Sequence, residues 1–309
     1  MIKVKNHNLK ELYQERVTKE YAVSLEPLKQ GEKISILSDT MLKTMFQNEN
    51  RLKYSCKLIS YFIDVSYQDL LNNIKLAKNE TDKKYENDKG ERCDYVASIN
   101  GAFINIEVNN NSSLYAMERN TEYLMRLYSK KVKRGTSYEY TQSIAINLNN
   151  FSFKDNDKII DIYALQNEEQ TLLTNKITII QIYIPNLRRK WYNEGIKSLT
   201  EVERYILALV ERKVEDALVL GIGDEVVEDY VKESIEVSED FNFGESYDKE
   251  WALKDEGIRE GIEQGIKQGE QNKQIEIAKN MIKDNISIET ISKYTNLTTQ
   301  EIDKLKEDK

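Results

Sequence analysis

The sequence predicts an α/β or α+β domain that ends near residue 240 and is followed by a helical tail. Three observations support this prediction. Strand-like segments cluster between residues 93 and 184, helix-like segments lie before and after them, and glycine recurs at every fourth residue from 257 to 269. Hydrophobic residues make up 39% of the 309, which argues against wholesale disorder.

Helical periodicity predicts two helices ahead of the strands. The first spans about 38–47, with Ser38 or Asp39 as its N-cap and apolar residues at helical spacing after it. The second spans about 51–64. The polar stretch 78–92 that follows predicts a loop.

A β-hairpin is predicted next, because the dipeptide Asn100-Gly101 favours a two-residue type I′ turn between strands at 93–99 and 102–108. Side-chain alternation assigns one apolar face to Cys93, Tyr95, Ala97, Ile99, Ile104, Ile106 and Val108. The opposite face is polar in part, with some apolar residues that indicate a partly covered cleft.

Two carboxylates oppose each other on that second face. The hairpin register places Asp94 directly opposite Glu107, with Cβ atoms about 4.5–5.5 Å apart, where like charges repel. Asn109 lies on the same face. Two carboxylates and an amide suit Mg²⁺, a hard cation that prefers oxygen ligands. The alternative interpretation is a solvated sheet face whose acids point apart into water.

Further elements complete the predicted domain. The segment 177–184 is apolar enough for a central strand and ends at Pro185. The others are a helix at 114–134, strands at 142–148 and 158–164, and helices at about 199–219 and 223–237.

The tail has its own pattern. Glycines at 257, 261, 265 and 269 alternate with isoleucines at 258, 262 and 266, so each series follows one stripe of a helix. This pattern fits either close helix–helix packing through the glycines or a polar, frayed connector.

Three short amphipathic helices then follow at about 273–283, 287–293 and 298–307. Ser287 is an expected N-cap, and Thr298 with Glu301 forms a capping-box pattern, so the segment resembles a helix-turn-helix module.

Composition excludes several chemistries. The chain has one histidine, His7, and two cysteines. Ser-His-Asp catalysis, Cys-His catalysis and a His-ligated zinc site each need a positioned imidazole. A single histidine therefore argues against all three.

The composition also bears on location. Two cysteines are too few for a disulfide framework, no apolar run is long enough for a membrane helix, and the N-terminus does not resemble a signal peptide. We therefore expect a cytoplasmic protein without a membrane partner.

Charge is unevenly distributed. The net charge is −8, and removing −12 for residues 201–256 and −1 for 257–309 leaves +5 for residues 1–200. An acidic chain with a basic N-terminal part can still bind a polyanion through that part.

These residues resemble a known group of nucleases. An acid on one strand followed by Glu-x-Asn on the next resembles the PD-(D/E)xK nuclease core. More specifically, the chain looks like the recombination-promoting nuclease (Rpn) and putative transposase family. The ordered stretches that carry the resemblance are SDTMLKTMF (38–46), RCDYVASINGAFINIEVN (92–109), ERNTEYLMRLYSKKVKRGTSY (118–138) and SIAINLNNFSF (143–153).

The resemblance implies a restriction-endonuclease-like αβα core with a mixed sheet that cleaves DNA with Mg²⁺ or Mn²⁺. It implies that Asp94 and Glu107 ligate the metal. Asn109 occupies the third motif position, which is Lys in the superfamily and often Gln in this group. Asp39 and Lys43 match an Asp-x-x-x-Lys pattern and are further catalytic candidates, and Lys43 is a candidate for the cation that Asn109 does not supply. The alternatives are that Asp39 is a simple N-cap and Lys43 a solvated helix residue, or that Asn109 leaves activity low or absent.

Candidate DNA-binding residues come from the basic part of the chain. Arg119 matches a family position on the helix after the site, where a phosphate contact and a structural ion pair are both open. The other candidates are Lys130, Lys131, Lys133 and Arg134, with Arg188-Arg189-Lys190 as a second basic cluster. Charged helix ends have the same composition, so that interpretation also stays open.

Taken together, these expectations define four regions. They are an N-terminal extension (1–30), a nuclease-like domain (31–240), a linker and Gly/Ile-repeat helix (241–272) and a small helical module (273–309). The leading function is a metal-dependent DNA endonuclease of recombination, transposition, mobile-element spread or phage defence. The alternatives are a nuclease-like fold that binds nucleic acid without cutting, and an interaction protein that forms homo-oligomers through the tail.

Overall fold

The computed structural model describes residues 17–18, 23–77, 93–110, 114–129, 141–153 and 155–307. His7, the predicted loop at 78–92 and the C-terminal end of the predicted helix 114–134 lie outside these residues. Within them, the strands are β1 (Val17–Thr18), β2 (Lys75–Leu76), β3 (Tyr95–Ile99), β4 (Ala102–Asn109), β5 (Ser143–Asn149), β6 (Ser152–Phe153), β7 (Ile160–Ala164) and β8 (Ile177–Tyr183).

Six of these strands form a mixed sheet in the order β2-β3-β4-β5-β8-β7. Strands β4, β5 and β8 are parallel to one another, whereas β2, β3 and β7 each run antiparallel to a neighbour. The carboxyl ends of the three parallel strands therefore meet at one edge of the sheet, where ligands bind in open α/β sheets. The short strands β1 and β6 pair separately.

The helices of the described residues are numbered in chain order. They are α1 (Asp39–Phe46), α2 (Leu52–Ser60), α3 (Tyr67–Asn73), α4 (Leu114–Ser129), α5 (Ile184–Glu194), α6 (Glu201–Val210), α7 (Val214–Gly221), α8 (Glu225–Glu239), α9 (Phe241–Lys283), α10 (Ile288–Thr295) and α11 (Thr299–Glu307). The predicted α/β class, the mixed sheet and the helical C-terminal part are confirmed.

The two faces of the sheet are covered differently. One face packs into the main core, which contains residues of α1, α2, α5, α6 and α8. The other face is covered by α4, whose Tyr123 and Leu127 pack on Val96 and Phe103. The apolar residues that the sequence placed on the polar face of the hairpin are thus explained, because that face is the one under α4.

The hairpin register is as predicted. Ile99 pairs with Ala102, and Asn100 and Gly101 have φ values of 48° and 85°, as a type I′ turn requires. The side-chain alternation predicted for the hairpin fails at Cys93. Cys93 was predicted to share a face with Tyr95, but it lies in the cluster under α4. The prediction was wrong because β3 begins only at Tyr95, so strict alternation does not extend through the bend before it.

One predicted helix is divided in two. The sequence indicated a single helix at about 199–219, but α6 ends at Val210 and α7 begins at Val214. The backbone of the intervening residues bonds elsewhere: the N–H of Lys33 donates to the carbonyl of Arg212 at 2.7 Å, and the N–H of Val214 donates to the carbonyl of Gly31 at 3.0 Å. A distant segment of the chain therefore supplies the partners that would otherwise continue the helix.

Helix α5 was not predicted as a helix. Pro185, read as the end of a strand, occupies its first turn, where the missing N–H costs nothing. Helix α3 and the short strands β1, β2 and β6 were likewise not anticipated.

The chain divides into two compact units, residues 1–248 and 249–309. In the second unit, Ala278, Ile282, Ile291, Leu297 and Ile302 form a small buried core between the end of α9, α10 and α11. The predicted caps are present: Ser287 accepts from the N–H of Thr290, and Thr298 and Glu301 exchange the two bonds of a capping box. None of the described helices combines the length and apolar character needed to cross a bilayer.

Candidate functional site

Asp94 and Glu107 lie next to each other, as the sequence predicted, although Asp94 is not itself in a strand. Asp94 directly precedes β3 and Glu107 lies in β4. The backbone N–H of Asp94 donates to Glu107 Oε1 at 3.2 Å, and the N–H of Val108 donates to Asp94 Oδ2 at 2.9 Å. The carboxylate of Glu107 is thus anchored by the backbone just before β3, and the carboxylate of Asp94 by the backbone of β4. Because an ionised carboxylate has about four lone-pair sites, each keeps capacity for a further ligand.

A hydrogen bond links the C-terminal end of helix α1 to the backbone of Asp94. The side-chain amide of Gln47, the residue that caps the C-terminus of α1, donates to the carbonyl oxygen of Asp94. Ser38 is the N-cap of this helix, since its hydroxyl accepts from the N–H of Met41 at 3.2 Å. Of the two predicted cap candidates, Ser38 is therefore the cap. Asp39 is the first residue of the helix.

Glu107 is buried and Asp94 is half-buried, and this decides their electrostatics. Glu107 is 1% exposed. Burial raises the pKa of Glu107, and the charge of Asp94 raises it further. Burial likewise raises the pKa of Asp94, against the effect of the hydrogen bond from Val108. Two partly desolvated acids side by side are costly to ionise together, and a cation between them would remove that cost.

Asp39 and Lys43 lie one turn apart on α1, close enough for their charges to act on Asp94 in opposite directions. The structure therefore brings Asp39, Lys43, Asp94 and Glu107 into one neighbourhood. Among the described residues, no group of three or more His, Cys, Asp or Glu side chains is arranged to hold a metal ion. A cation at this site would complete its shell with water or substrate oxygens, as Mg²⁺ usually does.

Asn109 ends β4 and is buried in a network of amides. Its Nδ2 donates to Asn149 Oδ1 at 2.9 Å, and its Oδ1 accepts from Asn120 Nδ2 at 3.1 Å. Asn120 also donates to Asn147 Oδ1 at 3.0 Å, and Asn149 donates to Gln181 Oε1 at 2.9 Å. The network joins α4 to the carboxyl ends of the three parallel strands.

The strand register extends this polar region across the sheet. Glu107 on β4 pairs with Asn147 on β5, which pairs with Gln181 on β8. Residues paired in this way project to the same face of a sheet. Sequence reasoning missed Asn120, Asn147, Asn149 and Gln181. A signal was available for two of them, because Asn147 and Asn149 repeat at the period-two spacing of Glu107 and Asn109.

Arg119 lies at the exposed edge of this network. It is on α4, and its Nη2 is 3.4 Å from Asn109 Oδ1. Its positive charge acts on both Asp94 and Glu107, where it opposes the burial that raises the pKa of each. Within the described part of the chain, the contacts of its guanidinium are with Asn109, Asn120 and the ring of Tyr123.

The two basic clusters have different outcomes. Lys130, Lys131, Lys133 and Arg134 lie outside the described residues, so their DNA-binding role stays a prediction. The cations of the second cluster are paired with acids: Arg188 with Glu211 at 3.3 Å, Arg189 with Asp157 at 3.4 Å and Lys190 with Glu203 at 2.8 Å. This pairing favours a structural role for the second cluster.

The comparison with protein families agrees with this geometry. A family model described as "PD-(D/E)XK nuclease family transposase" matches residues 36–249, which include α1, the hairpin, α4 and the whole mixed sheet. The chain belongs to this family. The PD-(D/E)XK assignment accounts for the αβα core and supports a nuclease-like function and hydrolase chemistry. No curated protein and no solved structure shows significant similarity to the chain.

Membership of the PD-(D/E)XK family also suggests which cofactor the site would hold. PD-(D/E)XK nucleases typically use divalent metals, and the donor set here is suited to one. Asp94 and Glu107 present hard oxygen ligands at a position, half-buried for Asp94 and buried for Glu107, where desolvation makes their charges costly. The residues present therefore fit a Mg²⁺- or Mn²⁺-type ion.

Proposed function

We propose that this PD-(D/E)XK protein is a metal-dependent DNA endonuclease that hydrolyses phosphodiester bonds. The observation that carries the proposal is the pair of neighbouring acids Asp94 and Glu107. Glu107 Oε1 accepts from the N–H of Asp94 at 3.2 Å, and Asp94 Oδ2 accepts from the N–H of Val108 at 2.9 Å. In the reaction, water forms a new bond to phosphorus as the bond to the leaving oxygen breaks. The proton released by the water is balanced by one taken up by the leaving oxygen.

The chain's residues divide this work between them. Asp94 and Glu107 would hold the ion, which when bound polarises the phosphate and activates water. Asn109 would help to position water through its carboxamide, and Asp39 and Lys43 would tune the charge around Asp94. Arg119 would bind phosphate, together with the basic residues from Lys130 to Arg134, and these contacts provide affinity without sequence information.

The setting of the activity is part of the proposal. The family's description as a transposase family supports a role in recombination, transposition or mobile-element spread, with phage defence as a further setting. The proposed location is cytoplasmic, as the sequence led us to expect; the biological setting rests on family analogy.

A test of the activity is the nicking of supercoiled plasmid by the full chain with Mg²⁺, Mn²⁺ or EDTA, beside Glu107→Ala. Metal-dependent nicking that is lost in Glu107→Ala supports the proposal. Equal behaviour of wild type and variant, with comparable folding by circular dichroism, would remove it.

One observation favours a second function. The carboxamide of Asn109 is engaged at both ends by Asn149 and Asn120, and an amide cannot carry the charge of a motif lysine. A PD-(D/E)XK fold that binds nucleic acid without cutting it is therefore the alternative. Metal-independent DNA binding without nicking would select it.

The tail supports a separate proposal of self-association. Ile258, Ile262 and Ile266 are 50–58% exposed, and a Cβ added at Gly257, Gly261, Gly265 or Gly269 would meet no atom within 4 Å. Exposed isoleucines beside open glycines suit close packing against a second helix, and ridges spaced four residues apart favour crossing near −50°. We propose that two or more copies of the chain associate through this stripe.

A further inference from the structure

The site has an unfilled chemical role. In the PD-(D/E)xK pattern the third position supplies a cation, but here it is Asn109, which is neutral and engaged in buried hydrogen bonds. Phosphodiester hydrolysis builds negative charge on the phosphoryl oxygens, and preorganised positive groups lower that barrier. A positive group from another element would have to take this role.

Helix α4 presents such a group. The Nη2 of Arg119 lies 3.4 Å from Asn109 Oδ1, so the guanidinium stands beside the position that lacks a cation. Its charge acts on both Asp94 and Glu107. The side chain is exposed, which leaves it accessible to a phosphate that approaches from solvent.

Three contacts hold the guanidinium in this place. Besides Asn109, its Nε lies 3.3 Å from Asn120 Oδ1, and its central carbon lies 5.8 Å from the centroid of the Tyr123 ring. Asn120 is itself fixed by its two donated bonds to Asn109 and Asn147. The buried amide network therefore orients Arg119 toward the carboxylates, which is a reason for an otherwise costly set of buried polar groups.

We propose that Arg119 is a catalytic residue that binds the scissile phosphate and supplies the positive charge absent from position 109. This inference rests on the proposed nuclease function and assigns the charge-stabilising role within it. The guanidinium donates hydrogen bonds to the non-bridging phosphate oxygens while water adds to phosphorus and the leaving oxygen departs with a proton. Its planar fork matches the geometry of two phosphate oxygens.

The experiment compares wild type with Arg119→Gln, Arg119→Lys and a matched control, Arg126→Gln. Arg126 lies on the same helix, seven residues later, and is paired with Glu122 at 2.7 Å. Three quantities are measured on each full-length protein: the single-turnover nicking rate at saturating protein with Mn²⁺, the affinity for duplex DNA in EDTA, and the affinity for Mn²⁺ alone.

The nicking rate, the DNA affinity and the Mn²⁺ affinity should respond differently to the substitutions. Arg119→Gln should lower the single-turnover rate about 100-fold or more, whereas Arg126→Gln should leave it within about twofold. Arg119→Lys should fall between them, because lysine keeps the charge without the fork. DNA affinity in EDTA should fall only about as much as the loss of one phosphate contact predicts.

The Mn²⁺ affinity gives a readout that does not depend on activity. Because Arg119→Gln removes a positive charge beside the two carboxylates, Mn²⁺ should bind as tightly as in wild type or more tightly. A merely structural arginine would give the opposite result, since its loss would disturb Asp94 and Glu107. Weaker Mn²⁺ binding in Arg119→Gln would therefore overturn the proposal, as would a wild-type nicking rate.

Chemical rescue adds a second criterion. Millimolar guanidinium should restore part of the nicking by Arg119→Ala and none by Glu107→Ala. Absence of rescue in a folded Arg119→Ala protein that binds DNA would contradict a direct role for the guanidinium. Different results test the nuclease function and the role of Arg119. If wild type shows no metal-dependent nicking, the nuclease function itself is removed. If wild type and Arg119→Gln are equally active, only the assignment of Arg119 is removed.

Discussion

A backbone hydrogen bond holds Asp94 and Glu107 together although their carboxylates repel each other. The N–H of Asp94 donates to Glu107 Oε1 at 3.2 Å. The sheet thus fixes in place two acids that repel each other. Natural proteins keep such unfavourable pairs at functional sites, where the strain has a use. The first prediction follows from that cost.

Glu107→Gln should make the folded protein more stable at pH 8 in the absence of metal. Burial raises the pKa of Glu107 in the folded state, so its contribution to stability is present below the unfolded pKa near ~4.3 and is lost as pH rises through the folded pKa. Glutamine keeps the acceptor for Asp94 without the charge. The gain should be on the order of 1–3 kcal/mol, measured by urea unfolding across pH.

The same variant should lose its response to metal. Mn²⁺ should raise the unfolding temperature of wild type, because an ion that binds only the folded state stabilises it, and should leave Glu107→Gln unchanged. Equal metal stabilisation of both proteins would show that the ion binds elsewhere.

Asn120→Leu should destabilise the first unit. Asn120 is 2% exposed and donates to Asn109 and Asn147, so its loss leaves two buried acceptors without this donor, at about 1–3 kcal/mol each. Glu122→Gln, on the exposed side of the same helix, should change the free energy of unfolding by less than about 0.5 kcal/mol. Indistinguishable unfolding curves for the two variants would mean that the network adds nothing to stability.

Lys33 predicts an independent pH dependence. It is fully buried, burial lowers its pKa to about 7 against the opposing charge of Glu211, and its Nζ lies 5.4 Å from the Tyr230 ring centroid. Since the unfolded pKa is near ~10.4, the free energy of unfolding should rise with pH between about 7 and 10.

Replacing Lys33 with methionine should remove that rise and stabilise the protein at pH 7 by at least about 1 kcal/mol. Lys53→Met is the control, because Lys53 is partly exposed in an ion pair with Asp229 and such pairs contribute about 0–1 kcal/mol. The same pH slope in Lys33→Met and wild type would refute the assignment of the slope to Lys33.

The tail prediction concerns self-association. Gly261→Ala should stabilise the helix itself by about 0.5–1 kcal/mol yet weaken association, because the added methyl separates the two helices. Gly244→Ala is matched to it, since Gly244 is also helical with open space around its Cβ position, but lies outside the Gly/Ile stripe. Sedimentation equilibrium should show weaker association for Gly261→Ala alone, and identical behaviour of both variants would favour a connector.

Local signals made the hairpin and the caps predictable. Asn100-Gly101 determines the register through its positive φ angles. That register pairs Tyr95 with Ile106, so Asp94, directly before β3, comes beside Glu107. Ser38, Ser287 and the Thr298–Glu301 pair act within a few residues of their own sequence positions, so their roles follow from the local sequence.

Three features could not be predicted from the sequence, because each depends on residues that are distant in the chain. The amide network joins Asn109 to Asn120 and Asn149, and no periodicity within one segment indicates such a meeting. The break between α6 and α7 likewise depends on hydrogen bonds from Lys33 and to Gly31, which lie far earlier in the chain. The role of Arg119 is of the same kind, because it becomes visible only once α4 lies against the end of β4.

The most direct test of the central claim is the single-turnover nicking rate of wild type, Asp94→Asn and Glu107→Gln with Mg²⁺, Mn²⁺ and EDTA. We expect nicking by wild type in both metals and none in EDTA, with the rate lowered by about 1,000-fold or more in each variant although Glu107→Gln is the more stable protein. Nicking that persists in EDTA, or in either folded variant, would contradict the assignment of Asp94 and Glu107 as the catalytic pair.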